Sequence, residues 1–310
     1  MSFDGPRDLR LVTDAAVPVP GRGEVLIRVA AAGVNFADVS KSRGTFGGGP
    51  QPPYLAGFEA AGEVVAVGEG VEGQLGAQVV GVGDGAFAEY MVLSTPVPIP
   101  PGWAPREALG ILVNWPTALA AVKLLGDLTP GQTVVIHAAA GATGQAAVKI
   151  AKHLGATVIA TASRPKHEVV LALGADHVLD SRSTDLATDI LRLTDGAGVD
   201  LVVESGGTLE ASLAAAKRVT GRVVVTGLAG GEAAVTNWDL VYRHQVHVIG
   251  FNLGVLIQTA PQLFGELMGE LFALEVLSPC RPTTYPLADG PKALAELEAR
   301  ATVGKLALLP

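Results

Sequence analysis

Cysteine is nearly missing from this chain of 310 residues: Cys280 stands alone, which excludes an internal disulfide. Neither histidine nor cysteine occurs before His137, so the N-terminal part of the chain has no imidazole or thiolate with which to hold a transition metal. Charged residues make up only 17%, the formal net charge is −8, and no basic run stands out. That leaves no electrostatic footprint for nucleic acid or an anionic membrane surface. Long apolar runs are lacking too. The best candidate, 109–125, is interrupted by Asn114, Pro116 and Lys123, so no membrane span is expected. Residues 1–10 carry charges and a Gly-Pro turn without the apolar segment of a secretory signal. Together with the missing disulfide, this gives a cytoplasmic location as the expectation.

What the chain has is apolar substance. A hydrophobic share of 49% excludes disorder and can furnish substantial cores. At roughly 150 residues per domain, the length suggests about two domains. The most informative stretch is 133–144, Thr-Val-Val-Ile-His-Ala-Ala-Ala-Gly-Ala-Thr-Gly. Residues 133–136 read as a strand, and a helix follows with Ala147, Val148, Ile150, Ala151 and Leu154 on one face. Between them lie only small side chains, among them Gly141, Ala142, Thr143 and Gly144. Such a turn lets a pyrophosphate approach the backbone and meet the free N–H groups and positive dipole end of the helix. Ala139 stands at the first glycine position of the G-x-G-x-x-G fingerprint, so a plain strand-to-helix turn is the alternative. The downstream pattern decides between them. Further strands are expected at 157–161, 178–179, 200–204, 222–226 and 246–251, mostly with helices between. Six alternating units predict a doubly wound parallel sheet of the Rossmann type, an α/β fold.

The first part of the chain has a different grammar. Residues 24–29, 62–67, 78–82 and 87–93 read as short strands separated by Gly- and Pro-rich turns, which predicts a small β-rich domain. After a helix expected over 256–274, a strand at 283–285, a helix over 289–300 and a strand at 305–309 are expected to rejoin it. The expected division is 1–108 completed by 278–310, and 109–277.

The segments Gly33-Val34-Asn35-Phe36-Ala37-Asp38, Gly57-Phe58-Glu59-Ala60-Ala61-Gly62, Phe87-Ala88-Glu89-Tyr90, the 138–144 turn, Leu173-Gly174-Ala175-Asp176 and Gly304-Lys305-Leu306 come in a specific order. With these the chain resembles, nearly end to end, the zinc-independent quinone oxidoreductase branch of the medium-chain dehydrogenase/reductase superfamily. The resemblance implies a GroES-like β-barrel catalytic domain, a Rossmann domain and an active-site cleft between them. It also implies a first strand missing before Phe3, and puts Phe46 where relatives often have a tyrosine. Zinc-dependent relatives hold their metal with a cysteine and a histidine at the positions of Asn35 and Phe58, and neither present residue suits that task. No metal is expected.

In NAD-specific Rossmann domains a carboxylate ends the second strand and bonds the ribose 2′-hydroxyl. Here that region reads Thr161-Ala162-Ser163-Arg164-Pro165-Lys166. Ser163, Arg164 and Lys166 would welcome a 2′-phosphate, so NADPH is the expected cofactor. Ordinary capping by Ser163, with Pro165 in the first turn, is compatible with that role. The expected chemistry is hydride transfer to a small electrophile, a quinone or α,β-unsaturated carbonyl, whose delocalised anion needs no strong Lewis acid.

The resemblance places Asn35, Phe36 and Asp38 near the nicotinamide ribose and substrate mouth, with Asn35 a donor to the acceptor oxygen or ribose. Asp38 either orients neighbours or is a satisfied loop residue. Tyr54 is the nearest phenol and a candidate proton donor beside Asn35 and Asp38. Thr117 is assigned to the nicotinamide ribose and Trp115 to the pocket wall or the core. Gly206, Gly227, Phe251, Leu253 and Lys305 are assigned to the nicotinamide half, with a solvated strand-end charge as the alternative for Lys305. His137 is expected to be structural; His153 and His167 are expected on helix surfaces. A non-catalytic NADPH-binding protein and an enoyl-thioester reductase remain the competing functions. The sixth strand, 247–251, with the apolar 252–257 beside it, is expected at a sheet edge that pairs with a second copy in a homodimer.

Overall fold

The computed structural model describes residues 4–206 and 209–310. The expectation of a missing strand before Phe3 concerns residues outside that range. The chain divides into two compact units, Met1–Leu112 with Pro279–Pro310, and Val113–Ser278.

The first unit is built on β1 (Val25–Val34), whose residues are nearly all buried. It pairs antiparallel with β2 (Glu59–Val67), which pairs with β3 (Gln78–Val82), and also with β4 (Tyr90–Leu93); β5 (Val97–Pro98) closes onto β3. Register shifts between Leu26 and Ile27 and between Val29 and Ala31 bend β1. The strand continues past the expected end at residue 29. Ala30 to Ala32 have little β-propensity of their own, but the pairing of Ala31 and Ala32 with β2, that of Ala32 with β13 (Leu306–Leu309) as well, and the full burial of Ala31 and Ala32 keep them extended. At the other edge, 87–89 lie outside β4.

The second unit holds β6 (Thr133–Ile136), β7 (Thr157–Ala162), β8 (His177–Asp180), β9 (Leu201–Glu204), β10 (Arg222–Val225) and β11 (His247–Gly250). All pairings among them are parallel, in the order β11-β10-β9-β6-β7-β8. The order reverses between β6 and β9, the switch point of a doubly wound sheet. Val135, Ile159, Ile190, Val202, Leu213 and Val223 pack into one core there. The single helix expected over 256–274 is two, Leu253–Thr259 and Pro261–Ala273. Pro261 supplies no N–H to the preceding turn, and Ala260 leaves helical geometry at φ −141°, ψ 60°.

The chain then adds β12 (Thr283–Pro286) and β13 (Leu306–Leu309) to the first unit, β13 antiparallel to β1. Helix Gly290–Glu298 lies between them in sequence, and its Ala293 and Leu294 are buried in the same core as Ile27, Val64 and Met91. Among the described residues no helix is long and apolar enough to cross a membrane.

Candidate functional site

In the first unit the polar residues gather where β1 ends. Asn35 precedes α1 (Phe36–Ser42), and its backbone N–H donates to Asp38 Oδ2 at 2.9 Å. Its side chain turns inward. Nδ2 donates to Glu59 Oε2 at 2.9 Å and to Gly33 O at 3.4 Å, and Oδ1 accepts from Lys305 Nζ at 2.7 Å. Both amide hydrogens are thereby engaged within the first unit in this arrangement. Lys305 Nζ also meets Glu59 Oε2 at 2.6 Å, and Gly110 N donates to Glu59 Oε1. The alternative of Lys305 as a solvated strand-end charge is corrected: its side chain is 3% exposed and that of Glu59 0%. Gly33 makes the arrangement possible, because a Cβ there would overlap the Glu59 carboxylate.

Asp38 is buried and its Oδ1 has no hydrogen-bond partner. Burial pushes its pKa up to about 7, against the lowering effects of the Asn35 N–H, Lys41 and Lys305. Tyr54 is half-buried; burial, and next the charge of Asp38, raise its phenol. Phe58 lies under Lys41, whose Nζ is 4.5 Å from that ring centroid and 5.5 Å from that of Phe46. Phe36 packs against the first unit's core.

In the second unit, α2 (Asn114–Leu119) carries Trp115, which is buried, and Thr117, whose hydroxyl donates to Val113 O at 2.6 Å. Asn114 Nδ2 donates to Thr143 Oγ1 at 3.0 Å. The turn after β6 runs through Ala138 at φ 50°, a left-handed conformation unusual for alanine, into α3 (Ala142–His153) with Gly141 as its N-cap. No side chain caps α3. Its first N–H groups therefore remain for an anion. A Cβ on Gly144 would overlap Ala138 O and Ala139 Cα, so only glycine lets the helix approach the strand so closely.

At the end of β7, Ser163 precedes the 3-10 turn Arg164–Lys166, with Pro165 in it, but its hydroxyl makes no cap bond. Capping does not engage this side chain. No carboxylate ends β7, but one stands close by: Asp180 Oδ2 accepts from Arg164 Nε at 2.8 Å. Gly206 N donates to Glu204 Oε1, Gly227 follows β10, and Phe251 N bonds Val225 O just before Leu253 opens its helix. His137 is 1% exposed. Two residues that matter here went unassigned from sequence: Glu59 and Glu204. Glu204 is the one charged residue of β9, which was the available signal for it, whereas β2 carries Glu63 as well as Glu59.

The alcohol dehydrogenase GroES-like domain family matches residues 21–101, and the zinc-binding dehydrogenase family matches residues 142–269. The synaptic vesicle membrane protein VAT-1 homolog of Rattus norvegicus is 31% identical over 335 residues, covering 99% of this chain and 82% of that protein. The chain belongs to the medium-chain dehydrogenase/reductase superfamily. A medium-chain dehydrogenase/reductase fold is also what the solved structures show. A mycobacterial protein complexed with NADPH superposes at a TM-score of 0.91 with 33% identity, covering 99% of this chain and 97% of that one. CurK enoyl reductase gives 0.84 and 33%, over 95% and 93% of the two chains. A Pseudomonas syringae quinone oxidoreductase gives 0.88 and 31%, over 99% and 97%. A phenolphthiocerol/phthiocerol polyketide synthase of Mycobacterium tuberculosis is 42% identical over 190 residues, 60% of this chain. The chain spans only 9% of the length of that relative. Although one matching family is described by zinc, Asn35 and Phe58 stand here, and among the described residues no group of His, Cys, Asp or Glu is placed to hold a metal ion.

Proposed function

We propose that this protein is an NADPH-dependent oxidoreductase that reduces a quinone or α,β-unsaturated carbonyl without zinc. The observation that carries the reading is the turn 138–144: Gly144 fits where a Cβ would not, and the uncapped start of α3 offers its N–H groups to a pyrophosphate. Gly141, Ala142, Thr143 and Gly144 would hold that group. Ser163, Arg164 and Lys166 would take the 2′-phosphate, and Thr117, Gly206, Gly227, Phe251 and Leu253 the nicotinamide half. NADPH supplies a hydride to the electron-poor carbon of the acceptor when bound.

The residues of the first unit handle the proton and the electrostatics. Asp38, whose pKa is pushed up to about 7, is protonated in about half of the molecules at neutral pH, and that form can deliver a proton to the oxygen of the reduced acceptor. Tyr54, a phenol that feels Asp38's charge, is the second proton carrier. Asn35 and Lys305 act on this reaction as positioning residues, fixing the end of β1 and the start of α1 through Glu59. Asn35 and Phe58, neither suited to ligating zinc, support the zinc-independent part of this reading.

A second reading has its own support. The 42% identity to a polyketide synthase and the likeness to CurK enoyl reductase favour a 2-enoyl thioester as acceptor. The test is NADPH oxidation with quinones, enals and enoyl thioesters side by side. Turnover with free quinones or enones supports the first reading. Selective turnover of thioesters supports the second, and NADPH binding without oxidation of any acceptor supports a non-catalytic role. A homodimer formed through β11 completes the proposal.

A further inference from the structure

The chain has 30 acidic residues and a net charge of −8, yet residues 39–58 hold Lys41 and Arg43 and no carboxylate. Arg43 is taken up by Glu298, with Nε and Nη2 at 2.8 and 3.0 Å from its two oxygens. Lys41 has no such partner. Among the described residues its ammonium forms no salt bridge, and it rests instead 4.5 Å from the ring centroid of Phe58 and 5.5 Å from that of Phe46. Ring faces hold a cation through their quadrupoles without using up its N–H bonds, which stay open to an anion.

The same lysine lines a cavity of about 300 Å³, whose other walls come from the loop 44–51. That is the lower end of the range for small-molecule sites. The loop is bent back over the end of α1 by Gly44 N on Lys41 O at 3.1 Å and Thr45 N on Ser40 O at 3.0 Å. Gly49 N on Phe46 O at 2.9 Å then closes a turn around Gly47 and Gly48. The N–H groups of these two glycines donate to nothing among the described residues. A Cβ on Gly47 would meet no atom within 4 Å, so packing does not call for glycine there. What the missing side chain does is leave the backbone N–H bare beside a fixed positive charge. A solvated surface lysine would account for the charge, but not for the cavity or the bare turn.

We propose that the cavity between Lys41 and the loop 44–51 is an anion subsite that takes the carboxylate of a small acceptor, so that the substrate is an enone or quinone bearing its own acid group. It rests on the reduction proposed above. Lys41 stands one helical turn from Asp38, so the two side chains start about 5–6 Å apart, and the ammonium acts on the charge of Asp38. An acid held at Lys41 therefore suits an acceptor whose reacting carbonyl lies only a few bonds from its carboxylate. The phosphate of a carrier pantetheine is a whole extended arm away from its thioester and fits that spacing poorly.

The experiment uses the full chain and compares kcat/KM for 6-oxohept-4-enoate and its primary amide, which share one enone and differ in charge two methylenes away. Wild type is expected to prefer the acid about tenfold, less so as ionic strength rises. That preference is expected to vanish in Lys41→Met and to survive in Lys41→Arg. The ratio is read rather than either rate, because the ammonium also acts on Asp38. No preference in wild type, or one that Lys41→Met leaves intact, would overturn the inference. Crotonyl phosphopantetheine against crotonyl pantetheine makes a second pair. A Lys41-dependent preference confined to that pair would put a carrier phosphate in the cavity and overturn the short acceptor. Calorimetry with 6-oxoheptanoate, the saturated product, reads the site without turnover, and its binding is expected to weaken about tenfold in Lys41→Met. Such binding with no acceptor reduced would retain the anion subsite and sink the reductase reading. Reduction of the amide with no advantage for the acid would do the reverse.

Discussion

Lys305 keeps an ammonium out of water because Glu59 Oε2 and Asn35 Oδ1 stand 2.6 and 2.7 Å from it. A buried pair of this kind adds little net stability, since desolvation cancels most of the attraction, but removing one member leaves a charge stranded. Lys305→Met, close in length and uncharged, is expected to cost about 3–5 kcal/mol in urea unfolding, and adding Glu59→Gln to recover much of that loss. A loss unchanged by the second substitution would mean that packing, rather than the stranded carboxylate, sets the cost. Asp38 gives the opposite pH signature to most carboxylates. Its pKa rises on folding from 3.8 to about 7, so between those values the folded chain keeps a proton that the unfolded chain has released. Its contribution is therefore favourable at low pH and is lost as pH rises toward 7. Relative to Asp38→Asn, wild-type stability is expected to fall by a few kcal/mol, roughly, between about pH 4 and 7. Parallel stability profiles for the two proteins would show that Asp38 ionises normally. For catalysis the same group predicts that kcat/KM declines above about pH 7 and that this decline disappears in Asp38→Asn.

At the scale of elements, the proposed function makes the turn after β7 the part that selects the dinucleotide. Lys166 and Ser163 flank an Arg164 whose Nε is held by Asp180, and Arg164 is 83% exposed. An exposed pair is worth at most about 1 kcal/mol, so a 2′-phosphate can compete for the guanidinium, though against a neighbouring negative charge. Asp180→Asn is expected to tighten NADPH two- to fivefold, roughly, and Lys166→Ala to weaken it about fivefold, both with NADH unchanged. Calorimetric titration with both cofactors checks this, and equal changes for the two would remove the turn from 2′-phosphate recognition. Other elements were legible in the sequence: 133–136 and 78–82 have the bounds read from their β-branched runs. Where neighbours rather than local preference decide, the sequence was silent, as at Ala31 and Ala32, held extended by burial and by pairing with β2. Asn35 is the sharper case. Its partners Glu59 and Lys305 lie 24 and 270 positions away, so no local pattern could show its amide turning inward. The arrest at Pro261 was readable, because proline removes a helix N–H wherever it stands, but the apolar run across it masked the break.

For the whole molecule, the open side of the parallel sheet is the question. Among the described residues β11 pairs only with β10 in its sheet, and His247, Val248 and Gly250 are exposed along it. Val248 is 39% exposed and Val255 in the following helix 53%. An uncharged, uncovered edge strand is a template for another strand, and natural proteins usually block one with charge, proline or a bulge. No such block stands in residues 247–250. The edge best suits a second copy placed by a two-fold axis, with β11 antiparallel to its counterpart and the flanking apolar helices extending the contact toward the roughly 1,000 Å² that a stable interface needs. Sedimentation at micromolar concentration is expected to give a dimer for wild type and a monomer for Val248→Lys, which sets like charges against each other across the axis. Because the substitution lies on an exposed edge, unfolding should shift by less than about 0.5 kcal/mol once dissociation is accounted for. A dimer that survives Val248→Lys would place the interface elsewhere, and a monomeric wild type would leave β11 as an edge that solvent alone covers.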